Sequence, residues 1–178
     1  MKRILSFIAI VLVSVLAMAQ NDTPKTRINE IVESEIDEQT YSVFQYFNED
    51  GTVGIYLGLD IPEVLLPGNI ISVQAPMLTE LCLYLGKDMD DALEGFDRLI
   101  ALFSEAPRSV WEFPARVLAL NVTVEDCNVE CIVRRRLIGK RLEIRYDMDG
   151  VNTVNYLTKG VVKGLRTSFR INAKRLLK

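Results

Sequence analysis

The sequence predicts an α+β protein: a mainly antiparallel sheet of about six or more strands packed against one main amphipathic helix. Three observations carry this. Several short β-branched and aromatic runs are separated by Asn, Asp and Gly turns, as at Asn48-Glu49-Asp50-Gly51 and Gly139-Lys140. One segment has a clean helical period: Met89, Ala92, Leu93, Phe96, Leu99, Ile100 and Phe103 form a continuous stripe. The 178 residues are 49% hydrophobic and 25% charged, an ordinary globular composition.

The first twenty residues read as a targeting segment. Lys2 and Arg3 form a basic start, Ile4 to Met18 is apolar apart from Ser6 and Ser14, and Ala17-Met18-Ala19 is an A-x-A site. This is the pattern of a cleavable signal peptide, with cleavage expected after Ala19. The expectation is therefore a signal over 1–19 and one secreted or periplasmic domain over 20–178. No later apolar run has the length of a membrane span.

Thr26 to Gln39 carries Ile28, Ile31, Val32 and Ile36 near helical spacing, with an irregular edge as the alternative. Tyr41–Phe47 and Thr52–Asp60 flank the Asn-Glu-Asp-Gly turn and predict a hairpin. Ile70–Gln74 reads as a short strand, and Leu78–Leu85 suits either strand or helix. Asp88 is placed to cap the main helix, with Asp90 and Asp91 in its first turn. Trp111–Glu125 turns strand-like. Val129–Ile138 and Arg141–Asp147 flank Gly139-Lys140, a pair suited to a two-residue hairpin loop. Val151–Leu157 predicts the next strand. Thr158 is placed to cap a short helix with Val161, Val162 and Leu165, and Ser168–Leu177 reads as a returning strand.

The sequence contains no histidine, which removes Ser-His-Asp and Cys-His catalysis and every histidine-ligated metal. No phosphate loop or cofactor motif is present. Cys82, Cys127 and Cys131 fit a disulfide framework poorly and are expected as free or buried thiols acting as small hydrophobes, with one disulfide involving Cys82 as the alternative. Asp88, Asp90, Asp91 and Glu94 lie together on one helix, so they cap it and do not face each other across a cleft as glycoside hydrolysis requires. Trp111 with Phe113, or Tyr41 with Tyr46, are candidates for a sugar platform, with packing as the commoner use. Asn121-Val-Thr123 matches a glycosylation acceptor.

The segment Leu142 to Thr153, with Asp147-Met-Asp149-Gly150, resembles the nucleophile motif of the haloacid dehalogenase phosphatases. The resemblance implies Asp147 as nucleophile and Asp149 as acid/base beside Mg²⁺. The sequence departs from it in two ways. No Asp or Glu follows Asp149 to complete a metal site, and Glu143 and Arg145 alternate with Leu142, Ile144 and Tyr146 where that family's strand is apolar on both faces. A hairpin turn accounts for the same four residues.

Charge is divided along the chain. From Gln20 to Asp126 there are 6 Lys/Arg against 20 Asp/Glu, and from Cys127 to Lys178 there are 13 against 4. With a two-residue loop at Gly139-Lys140, one hairpin face carries Val133, Leu137, Leu142, Ile144 and Tyr146, with Arg135 as its charge. The other carries Arg134, Arg136, Arg141 and Arg145 against Glu143, with Lys140 at the tip and Arg134 opposite Arg145. Like charges directly opposite repel, so this face needs an anion. An acidic segment of the N-terminal half is the favoured source, with an external acidic protein surface or anionic envelope component as the other. Arg134, Arg136, Lys140, Arg141 and Arg145 are thus the candidate anion-binding residues. Nucleic acid fits a net-acidic secreted chain less well. The functional expectation is a non-enzymatic binding protein without a cofactor. The alternatives are a small hydrolase using carboxylates and a structural subunit of an envelope assembly.

Overall fold

A computed structural model describes residues 27–36, 39–48, 50–59, 64–65, 78–119, 125–148 and 151–176. The signal segment, the Ile70–Gln74 strand, the Asn121-Val-Thr123 acceptor and Asp149-Gly150 lie outside them.

The strands are β1 (Arg27–Ile36), β2 (Gln39–Phe47), β3 (Val53–Leu59), β4 (Val64–Leu65), β5 (Leu78–Gly86), β6 (Val110–Ala119), β7 (Glu125–Arg135), β8 (Lys140–Met148) and β9 (Val151–Thr158). The helices are α1 (Met89–Leu102) and α2 (Lys159–Leu176). All nine strands join one sheet in the order β1-β2-β3-β5-β6-β7-β8-β9-β4, every pair antiparallel. Leaving aside the two-residue β4 at the edge, four antiparallel strands followed by a helix occur twice in succession.

The expected fold class holds, with two corrections. Arg27–Ile36 is strand, the irregular edge that stood as the alternative to a helix: β1 lies at the edge of the sheet and pairs along its length with β2. Its irregular apolar spacing comes from a bulge between Glu30 and Val32, which turns Ile31 and Val32 both inward. The sheet also carries two helices, not one main helix. Of the expected Ser168–Leu177 strand, residues 168–176 are helix instead, because α2 runs unbroken from Lys159 to Leu176. Val161, Val162, Leu165, Phe169 and Ala173 are its buried stripe, at helical spacing.

Each helix is terminated by identifiable groups. Asp88, in extended geometry, accepts the amides of Asp90 and Asp91 at 3.0 Å each. No basic residue of α1 itself lies in its last turn. The Lys140 ammonium supplies that charge from the β7–β8 hairpin by donating to the Glu105 and Ser104 carbonyls just beyond the helix. The Thr158 hydroxyl accepts the Val161 amide at 3.4 Å, as its capping role predicts. Lys174 and Arg175 lie in the last turn of α2.

Both helices cover one face of the sheet. Phe96 of α1 and Phe169 of α2 are fully buried with ring centroids 5.8 Å apart. They pack over an aliphatic layer that includes Leu57, Leu83, Val133, Leu142, Ile144 and Leu157. Arg166 joins Asp97 across the two helices at 2.7 Å. After β9, α2 crosses back to pack on α1 and the opposite edge strand β1.

The other face carries no helix among the described residues. Phe44, Tyr46, Tyr56 and Cys82 form a second cluster there. Gly54 makes room for it, since a Cβ at this position would lie 2.5 Å from the Tyr56 ring. The three cysteines are thiols, with Cys82 and Cys131 buried; burial pushes the Cys131 thiol up to about 12.

Candidate anion-binding face

The β7–β8 hairpin turns differently from the Gly-Lys loop read in the sequence. Arg135 pairs with Lys140 and Arg134 with Arg141, so the chain reverses through four residues, Arg136–Gly139. Gly139 has φ +80°, a conformation that disfavours side chains, and its carbonyl accepts the Arg136 amide at 3.0 Å. The cross-strand partner of Arg134 therefore moves from Arg145 to Arg141. A displacement of four residues is even, and side chains alternate with period two, so Arg134, Arg141, Glu143 and Arg145 remain on one face. Leu137 does not: it projects into solvent at the tip rather than joining the apolar row of Val133, Leu142 and Ile144.

Glu143 organises this face. Opposite Ile132 on β7 and Tyr156 on β9, it is buried. Its carboxylate accepts two hydrogen bonds from Arg134, at 2.8 and 3.0 Å, and one from Arg145 at 2.6 Å. The Arg134 hydrogen bond holds the carboxyl below its ordinary range, against the opposing effect of burial, and the Arg145 contact adds to it. The same bond raises Arg134. The compensating anion for this pair is thus a residue of the hairpin itself, not a segment of the N-terminal half.

Arg141 escapes its like-charged neighbour in another way. Its guanidinium lies over the Tyr156 ring, 3.9 Å from the centroid. Its Nε is buried without a hydrogen-bond acceptor. Arg136 is exposed in the turn. Neither Arg136 nor Arg141 has a carboxylate partner among the described residues. Of the five candidate residues, Arg134 and Arg145 share one carboxylate, Lys140 is directed to the end of α1, and Arg136 and Arg141 remain as uncompensated cations.

Stability should report this network. The carboxyl of Glu143 is depressed in the folded protein, so its pairing contributes fully above the ordinary value of 4.5 and is lost as pH falls through the lower folded-state value. Glu143→Gln is expected to cost about 1–2 kcal/mol near neutral pH, the scale of lost charge-assisted hydrogen bonds partly screened by water. The difference from wild type should shrink as pH falls below 4.5 and close once pH is below the lower folded-state value. Urea titrations across that range measure it, and a gap independent of pH would show that the carboxylate charge does not hold the arginines.

A second feature of the open face was not legible in the sequence. Arg116 on β6 is only 8% exposed. It donates to both Asp126 oxygens, at 2.7 and 3.1 Å, and to Asn48 Oδ1 at 2.7 Å. Its guanidinium lies 4.8 Å from the Tyr46 ring centroid and 5.2 Å from that of Tyr56. Beside it is an open groove of about 420 Å³ lined by residues including Tyr56, Tyr84, Pro114 and Asn128. Burial pushes the Tyr56 phenol up to about 12. The sequence signal available was an arginine alternating with Ala115 and Val117 on a strand, but its partners lie on three other segments.

The other candidates are dispersed. Phe113 is in the core beneath the helices, whereas Trp111 is half-exposed near the start of β6. Tyr41 belongs to the helix-covered side and Tyr46 to the open side, so they do not form one platform. No group of three or more acidic or cysteine side chains among the described residues is arranged to hold a metal ion. Asp147 ends near a connection of two residues between Met148 and Val151, as a hairpin turn requires.

Among the described residues, these features define an antiparallel sheet with two helices on one face and the arginine-bearing side of the β7–β8 hairpin on the other. The chain matches no protein-family model, and no curated protein or solved structure is significantly similar to it.

Proposed function

We propose that this protein is a secreted or periplasmic, non-enzymatic binding protein that recognises an anionic partner through the basic face of the β7–β8 hairpin. The observation that carries the reading is the division of labour among its arginines. Arg134 and Arg145 are held in position by one buried carboxylate, while Arg136 and Arg141 have no carboxylate partner among the described residues. A preorganised cationic surface with surplus charge loses little side-chain entropy on meeting an anion. The signal pattern of residues 1–19 supports export.

The test removes the surplus charge and leaves the Glu143 network intact. Arg136→Gln with Arg141→Gln should preserve the melting transition and weaken binding to inorganic polyphosphate by about tenfold or more, on the scale of two lost charge contacts. Wild-type binding should fall steeply with added salt. Equal binding by wild type and variant would exclude this face as the site.

A further inference from the structure

We propose that the anionic partner is a lipid bilayer, and that Leu137 and Ile138 insert into its surface while the surrounding cations meet the headgroup phosphates. This rests on the anion-binding reading above and names the partner for that site.

The turn chemistry is the first observation. Gly, Asn, Asp, Ser and Pro ordinarily fill such reversals, yet the centre of this one is Leu137-Ile138. Their exposures are 102% and 89%, so neither contributes to the core. Two large aliphatic side chains held in water at the end of a hairpin gain nothing for the fold.

The second observation is what surrounds them. Arg136 immediately precedes Leu137, the first paired rung behind the turn is Arg135 with Lys140, and the next is Arg134 with Arg141. At roughly 3.3 Å per residue, these cations lie within about 10 Å of the tip, the depth scale over which apolar groups enter the headgroup and acyl boundary. The hairpin thus presents apolar groups first and positive charge behind them, the order in which an anionic membrane presents its phosphates and chains to an approaching body. A soluble polyanion would leave Leu137 and Ile138 in water. A protein partner of ordinary size buries roughly 800 Å² on each side, far beyond two side chains at a tip. No helix among the described residues is long and apolar enough to cross a membrane, and insertion of this tip needs none.

The tip is also rigidly presented. Lys140 is tied to the carbonyls beyond α1, and Arg134 and Arg145 are tied to Glu143. Changing the two tip side chains should therefore leave the fold intact.

Vesicle co-sedimentation tests the proposal, with polyphosphate binding measured in parallel. Wild type should sediment with phosphatidylcholine vesicles containing phosphatidylglycerol and stay in solution with phosphatidylcholine alone. Leu137→Ser with Ile138→Ser should weaken vesicle binding by about tenfold or more, on the scale of two buried aliphatic side chains, and leave the melting transition and polyphosphate binding unchanged. Trp111 is the chain's single tryptophan, so Leu137→Trp placed in a Trp111→Phe background gives a specific reporter. Its emission should shift to the blue on anionic vesicles and be quenched by lipids with brominated chains. Polyphosphate binding without vesicle binding would overturn insertion and leave anion recognition standing. Vesicle binding unaffected by the serine substitutions, or a reporter that remains in water, would overturn insertion as well. Absence of binding to either probe would overturn both readings.

Discussion

Phe96→Ala should destabilise the protein by about 3–5 kcal/mol, the range for truncating a large aromatic in a closed core. Phe96 is fully buried in the middle of α1, with Phe169 of α2 as its ring neighbour at 5.8 Å. The loss has two sources: apolar area returned to water in the unfolded chain, and a cavity the neighbours cannot fill. Collapse is restricted because the same helix is held against β5 by backbone contact on one side and by the Asp97–Arg166 pair on another. Chemical denaturation measures the change. A loss under about 1 kcal/mol would mean that α1 does not pack here. Phe169→Ala in the same background should add less than it costs alone, because the first truncation already removes their contact.

Gly95→Ala is the more discriminating substitution, because two physical rules predict opposite signs. Intrinsic helix propensity favours alanine by about 1 kcal/mol. The tertiary structure opposes it. A Cβ at Gly95 would overlap the Leu85 carbonyl oxygen and lie 2.8 Å from Leu85 Cα. Both are backbone atoms of a central strand, so no flexible side chain is available to give way. Overpacking of this kind costs about 1–3 kcal/mol and occasionally more, which exceeds the propensity gain at its upper end. We expect net destabilisation, read by denaturant titration, together with increased exposure of Phe96 as the helix lifts. A stabilised Gly95→Ala variant would show that α1 stands farther from β5. Gly86 makes a similar approach, its missing Cβ facing Asp91 and the Ala92 amide. Together the two glycines set how closely the helix sits on the sheet.

The legibility of each helix followed from its flanks. The apolar stripe of α1 begins after an aspartate cap and is followed by Pro107, so local signals agreed with the period; Asp88–Phe103 in the sequence corresponds to Met89–Leu102 with its two caps. In α2, Gly160, Gly164 and several β-branched residues weaken local helical preference. Its length comes from a buried stripe that needs α1 and β1 to pack against, and neither is a sequence neighbour. β1 shows the converse: a bulge places adjacent Ile31 and Val32 on the same side, which breaks alternation and imitates a helical period.

The sequence already places Arg134, Arg141, Glu143 and Arg145 on one strand face, because side-chain alternation is intrinsic to the extended backbone. It also determined that the C-terminal part of the chain is rich in arginine and lysine, and that no histidine chemistry is available. Which cations are compensated is set by the folded sheet. That choice depends on the length of the turn at Arg136–Gly139, on the burial of Glu143 beneath Arg134 and Arg145, and on the arrival of Tyr156 from β9 under Arg141. Arg116 followed the same logic on the other half of the open face, drawing its partners from Asn48, Asp126 and two tyrosines. Periodicity is a property of neighbours along the chain, whereas charge pairing requires atoms within a few ångströms in space, and only the folded sheet brings those atoms together.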